Sequence, residues 1–430
     1  MRHIIFVLLS LQFIYCHGQT TNSIYALRGV TIIDANNKTP LTNQTILIKG
    51  TTILKVFTSD SIKLNDSIRV IDLKGKYVIP GLIDTHVHIG QEDNGKADRD
   101  SAEFYLHKML LSGITSVRDM NGDARFLACL SRDAKIGDIP SPDIYYSALM
   151  AGPEFWKERR IIANPYAKGG IPGQMPYWKL VTDSTDIVLA VAEAKGSGAT
   201  GLKLYTDIKK ELVIKIVKEA KRQGMRVWSH AAIIPAYAID AINAGVEVIS
   251  HADGIVRETR GDEPFPEAWK KRENPATSDE YWNDELNKFH LNTLFARMNE
   301  MNTIFDATLC VFESFIDMPS QRWRFETAKR IIDMAHKAGV KICTGTDTDL
   351  RGSVVQDEIK YLVKYCNFSP IDVIISSTKI GAEAIGIDKT CGTIEPDKFA
   401  DLLILDKNPL DDIKNIESVN MVIKSGLIYK

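Results

Sequence analysis

The chain is poor in cysteine, and none of its six cysteines is paired in a CxxC spacing. Setting aside Cys16 leaves Cys129, Cys310, Cys343, Cys366 and Cys391, an odd number at wide spacings. That argues against a disulfide framework or a cysteine-built zinc site and for buried apolar thiols. An excess of one charge is also lacking: 53 basic against 55 acidic residues leave a net charge of −2. Near-neutrality gives no basis for a nucleic-acid partner or an electrostatically held membrane surface. There is no low-complexity tract, and no GxGxxG follows the first predicted barrel strand, which weakens a dinucleotide-binding reading. The apolar run from Ile4 to Tyr15 is too short for a comfortable membrane span, which needs about 20 residues. With its short basic start and polar sequel it fits a secretory signal. Cleavage after Gly18 is expected, giving an exported protein, periplasmic or secreted, without a membrane segment in the mature form. A lipid on Cys16 is the rival, poorly served by the bulky Tyr15 before it.

What is present is an ordinary globular composition, 44% hydrophobic and 25% charged, with length for a large core and more than one domain. From about residue 100, amphipathic stretches ending near glycine alternate with short apolar runs. LHKMLLSG precedes ITSVRDM, VIKIVKEAKRQG precedes MRVWSHA, AYAIDAINAG precedes VEVISHA, and IIDMAHKAG precedes VKICTGTD. Leu212, Ile216, Val217 and Ala220 have helical spacing, and Gly224 suits a C-terminal cap. The intervening runs are continuous and rich in β-branched residues, as in strands buried on both faces. With LIDTHVHI, DIYYSALM, TGLKLYT and NTIFDATL they make eight strands. The expected fold is therefore α/β, a (β/α)8 TIM barrel over residues 81–385, with a doubly wound open sheet as the alternative. Residues 19–80 and 386–430 read as short strands broken by turns. They predict one small discontinuous β-sandwich domain built from both chain ends.

Histidine is scarce, nine in all, yet two lie two apart in VIPGLIDTHVHIG. Residues i and i+2 of a strand share a face, so His86 and His88 can aim at one point, and two imidazoles on one point suggest a metal. At the corresponding C-terminal ends of other strands stand Lys203, His230, His251 and Asp347, where barrel enzymes keep their chemistry. Singly, each has a bland reading: a core histidine, a helix cap, a lysine reaching solvent. Together they are too many for one open zinc site and suit two divalent metal ions, with zinc expected. A lysine in a buried strand has a lowered pKa, and its neutral amine can capture carbon dioxide as a carbamate. Asp84, two before His86, is a candidate partner of the ligands, with cap or surface roles equally open.

This set resembles the amidohydrolase superfamily of metal-dependent hydrolases. PGLIDTHVH is similar to its first-strand signature, and DKFADLLILD to the closing β segment of its imidazolonepropionase-like branch. TSVRDMNGD resembles a stretch of that branch's prolidase-like members, with Asn121 inserted before the glycine. The resemblance implies that His86, His88 and Asp347 hold the more buried metal and His230 and His251 the more exposed one. A carboxylated Lys203 would bridge them. It also implies hydrolysis with Asp347 as the acid/base, and Lys203 speaks against imidazolonepropionase itself. The expected reaction is cleavage of a C–N amide bond in a small molecule, such as an Xaa-Pro-like dipeptide or an N-acyl amino acid. Lactone or organophosphate ester hydrolysis, a cyclic amidase, and a non-catalytic metal-binding protein are the alternatives. Segments 151–182 and 253–285 read as long loops. Trp156, Arg159, Arg160, Tyr205 and Arg257 are the candidate substrate contacts. A homo-oligomer stays open.

Overall fold

The computed structural model describes residues 23–37, 39–90, 98–157, 170–259, 291–318, 321–349 and 354–429. The expected signal segment 1–18 and most of the second long loop lie outside the described residues.

The two chain ends meet in one mixed sheet. Its strands run in the spatial order Leu427–Ile428, Val419–Lys424, Leu402–Leu405, Tyr77–Pro80, Ile24–Ile32, Leu41–Lys49, Thr52–Thr58, with Arg69–Asp72 also paired to Ile24–Ile32. The seam is antiparallel, Ile79 opposite Leu403 and Val78 opposite Ile404. The uninterrupted apolar run LLIL has a physical reason in the period of two. Leu402 and Ile404 face the small sheet's own core, whereas Leu403 and Leu405 face the barrel's. Leu403 packs on Gly113, where any Cβ would collide with it and where φ is +97°. Only glycine fits there without strain.

All eight expected strands form and lie in sequence order as a parallel sheet: Leu82–His88, Ile114–Asp119, Asp143–Ala151, Gly201–Leu204, Arg226–His230, Val248–Ser250, Ile304–Asp306 and Ile342–Cys343. The last strand returns to the first. The Thr85 amide donates to Thr344 O at 2.9 Å and the Asp347 amide to His86 O at 2.8 Å, and Thr348–Asp349 then pairs with Val87 and His88. The crossover helices form for the reason the spacing suggested. In Lys210–Arg222, Leu212, Val213, Ile216, Val217 and Ala220 are buried, one stripe against the sheet. Each fully buried side chain of this size contributes about 1.5–3 kcal/mol. Gly224 at φ +71° ends the helix, and strand five starts two residues later.

The barrel interior is layered. Towards its base Trp228, Val248, Ile304, Cys343 and Ala384 belong to one apolar cluster, which Met120 joins from the end of strand two. Gly201 leaves room for the Trp228 ring, which would touch a Cβ there at 2.7 Å. The Trp228 indole donates to Ala384 O at 3.1 Å.

Two sequence expectations need correction. Segment 151–182 is not wholly a loop. It carries a helical turn, Pro153–Trp156, and two short strands, Gln174–Met175 and Trp178–Leu180, the second extending barrel strand three beside Leu149–Ala151. Its apolar residues were too few to show a period. Cys129 is exposed, on the outer face of helix Ala124–Ile136, whereas the other four described cysteines are buried free thiols as expected.

Candidate metal centre

Strand alternation brings the six candidate residues to one end of the barrel. Asp347 lies at the middle of them. One carboxylate oxygen is 2.9 Å from His88 Nε2 and 3.3 Å from His86 Nε2. The other oxygen is 3.4 Å from His251 Nδ1. Lys203 Nζ is 3.4 Å from His86 Nε2. The rings of His86 and His251 are 4.8 Å apart and those of His251 and His230 4.4 Å. His86, His88 and Asp347 offer donor atoms that all lie within 4.8 Å of one another, a group that could hold a metal ion. His230 and His251 extend this group on one side and Lys203 touches it on another.

The backbone is held in an uncommon conformation at two of these residues. His251 has φ +76° and Asp347 φ +51°. Such values cost a non-glycine residue on the order of 1–3 kcal/mol and persist where neighbours enforce them. The enforcing bonds are the Asp347 amide to His86 O and the His251 amide to Asp306 O.

Burial sets the protonation. Desolvation holds the His86 and His251 imidazoles well below their ordinary pKa, and lowers His230 to about 3, helped by the Lys203 charge. It lowers the Lys203 amine to about 8. Burial alone would raise Asp347, but the imidazoles of His86 and His88 and the Lys203 charge hold it below the usual carboxylate range. At neutral pH His86, His230 and His251 are thus neutral imidazoles beside one carboxylate, the state in which these groups ligate a cation.

The partner of the His86 ring was missed by sequence reasoning. His86 Nδ1 donates to Asp306 Oδ2 at 2.8 Å, which leaves Nε2 to face the centre, the usual arrangement behind a ligating histidine. Asp306 also accepts from Ser250 Oγ and Thr85 Oγ1. Its charge is met by Arg118 at 3.2 Å, a fully buried guanidinium stacked 4.5 Å from the Trp228 ring centre. The only available signal was that Asp306 ends strand seven as the ligand candidates end theirs. Asp84 does not touch an imidazole. It accepts from the His86 and Thr346 amides and the Thr346 hydroxyl, clamping strand one to strand eight. Burial pushes its carboxyl up to about 7. His251 shares a hydrogen bond of 3.1 Å with Thr308. The turn after Thr308 is pinned by Glu358, which accepts the Leu309 and Cys310 amides.

Of the candidate substrate contacts, Tyr205 stands beside the centre, 5.2 Å ring to ring from His230 and 5.3 Å from Lys203 Nζ. Behind it lies Phe155, then Trp156, then Trp178. Trp156 is buried, with its indole donating to Ala151 O, so it backs this wall. Arg159 and Arg160 lie outside the described residues, and only the backbone of Arg257 is described, in the 3-10 helix Ala252–Thr259.

The sequence matches the model of the amidohydrolase family over residues 77–428. An imidazolonepropionase of Picrophilus torridus is 44% identical over 59 residues, a match that spans only 14% of this chain and 14% of that protein. Among solved structures, a Xaa-Pro dipeptidase with bound methionine in the active site is similar with a TM-score of 0.73 and 24% identity, over 95% of this chain and 100% of that one. The ochratoxinase of A. niger is similar with a TM-score of 0.73 and 20% identity, over 95% and 96% of the two chains. At these identities the structural likeness establishes a common fold.

Proposed function

The chain belongs to the amidohydrolase family, and from that premise we propose that it is an exported, metal-dependent hydrolase of a C–N amide bond. The substrate class proposed is an Xaa-Pro-like dipeptide or an N-acyl amino acid. The observation that carries the reading is the convergence of neutral imidazoles, a lowered lysine and one ionised carboxylate at the strand ends. His86, His88 and Asp347 would hold one divalent ion, His230 and His251 a second, and Lys203 would bridge them as a carbamate. Zinc is the expected metal. Metal ions bound here would polarise the carbonyl and lower the pKa of a water.

The chain's own residues do the remainder. Neutral Lys203 Nζ attacks carbon dioxide, forming an N–C bond and releasing one proton. Asp306 fixes the His86 ring so that Nε2 keeps its lone pair. Asp347 takes the proton of the attacking water as it adds to the carbonyl carbon. It then delivers that proton to the nitrogen as the C–N bond breaks, giving a carboxylic acid and an amine. Tyr205 lines the acyl side.

Support for the peptide-like substrate comes from the Xaa-Pro dipeptidase among the similar folds. The partial imidazolonepropionase match favours a cyclic amide as the second reading. The deciding experiment is metal-loaded protein tested on dipeptides, N-acyl amino acids, imidazolonepropionate, lactones and organophosphates, with metal content measured on the same sample. Turnover of amides with two metals per chain is expected. Turnover confined to lactones or phosphotriesters would replace the C–N assignment. No turnover at full metal content would leave a metal-binding protein. Export is tested by N-terminal sequencing, which is expected to begin near Gln19.

A further inference from the structure

A substrate that is an N-acyl amino acid carries a carboxylate close to the bond that breaks, and something must receive it. Around the described part of the mouth, one guanidinium is built for this. Arg324, on helix Arg322–Lys337, donates through Nε and Nη2 to a single oxygen of Asp253, at 2.9 and 2.7 Å. Its plane lies 4.7 Å from the Phe315 ring centre and 5.3 Å from that of Phe312. The pair is tied to the segments that carry two of the candidate ligands. Asp253 is two residues beyond His251, and Gly254 is packed so closely on Ala231 and Ala232 that a Cβ there would meet both at 3.1 Å. Those alanines directly follow His230.

The geometry of the fork matters. Both bonds to Asp253 leave from one edge of the guanidinium and converge on one oxygen. The end-on edge, formed by Nη1 and the second N–H of Nη2, has no partner among the described residues, and the side chain is 29% exposed. Two parallel donors on a planar fork match a carboxylate in bidentate fashion. The two phenylalanine rings and the largely covered Asp253 fix its orientation, so little side-chain entropy remains to be lost on binding. Across the barrel, three to four strands away in the sheet order, the Tyr205 wall provides an apolar face.

We propose that Arg324, oriented by Asp253, receives the substrate's free carboxylate, while the acyl side lies against Tyr205. The site would then require an N-acyl or N-aminoacyl amino acid with an unblocked carboxyl group. This rests on the C–N hydrolase reading above, but its test is separable. Metal-loaded full-length protein is given an N-acyl amino acid and the same compound as its carboxamide. Turnover and calorimetric binding are both measured. The variants are Arg324→Lys and the paired Arg324→Met/Asp253→Asn, which avoids leaving a buried aspartate without its cation. Thermal melting checks that each is folded.

The parent is expected to favour the free acid by about 30-fold or more, the scale of charged hydrogen bonds made and lost. The paired variant should lose that preference through KM and binding while handling the carboxamide as the parent does. Arg324→Lys should keep part of the preference, since it keeps charge without the fork. A parent that does not distinguish acid from carboxamide would overturn the proposal. So would a variant that weakens both compounds equally, which would make Arg324 a partner of Asp253 only. If neither compound turns over, the C–N hydrolase reading fails, and the binding preference still decides the role of Arg324.

Discussion

The two ends of the barrel obey opposite rules. At the base, side chains fill space: Trp228 occupies the volume that Gly201 leaves, Leu403 of the small sheet packs on Gly113, and the Trp228 indole is hydrogen-bonded to Ala384 O. At the mouth, imidazoles, an amine and a carboxylate crowd together, and His251, Thr308 and Asp347 hold positive φ. A compact fold can tolerate that crowding only because the base stabilises it. Between them lies a transition layer, Arg118 and Asp306, which couples the two. Arg118 stacks on the base tryptophan, and Asp306 orients a mouth histidine. Stability is thus concentrated at one depth of the barrel axis and chemistry at another, joined through this one layer, which gives the comparison its tests.

The largest expected effect is at the mouth. Asp347→Asn, brought to full metal occupancy, should lose on the order of 10²-fold or more in kcat, because an amide cannot carry the proton. Its melting temperature should not fall. Near-parent turnover would reduce Asp347 to a ligand. Lys203→Ala should lose most activity and part of its metal, with partial rescue by short carboxylic acids. Full activity with full metal content would remove the bridge.

At the base the pattern should invert. Trp228→Ala should cost about 3–5 kcal/mol of stability by denaturant unfolding, the range for large aromatic truncations in cores. Protein that remains folded should keep its metal count. A loss of metal at unchanged stability would show that depth does not separate the two functions.

The pH dependence of the metal-free protein is a smaller effect. His230 binds protons more weakly folded (about 3) than at its ordinary value of 6.5, so the unfolded state takes up more protons between these values. Stability should fall as pH drops from about 6.5 toward 3, by at most about 1.4 kcal/mol per pH unit for this group. Lys203, lowered from 10.5 to about 8, adds a second window, where stability rises from pH 8 to 10.5. Metal loading with carboxylation should extend this rise to lower pH, because the folded lysine then carries no proton while the unfolded one still titrates at its ordinary value. Chemical denaturation at several pH values, with and without chelator, checks both. The smallest effect is at the surface: Cys129→Ser should change stability by no more than about 0.5 kcal/mol.

Local pattern alone determined the eight strands, the helices between them, the short-strand texture of both chain ends and the ligand-type residues at strand ends. The reason is that each of these is written within a few residues. His86 and His88 declare a shared face by being two apart, and Leu212 to Ala220 declare a buried stripe by helical spacing. The tertiary structure decided what holds those residues in place. The Asp306 contact with His86 spans 220 positions, the Thr346 contact with Asp84 spans 262, and the Arg324 contact with Asp253 spans 71. Such pairs leave no local period, since their hydrogen bonds depend on which strands become neighbours when the barrel closes. For the same reason Asp84 could be placed beside His86 in sequence but not assigned to its backbone. Asp306 looked like any strand-end aspartate until closure of the barrel brought strand seven to within one strand of strand one and its histidine.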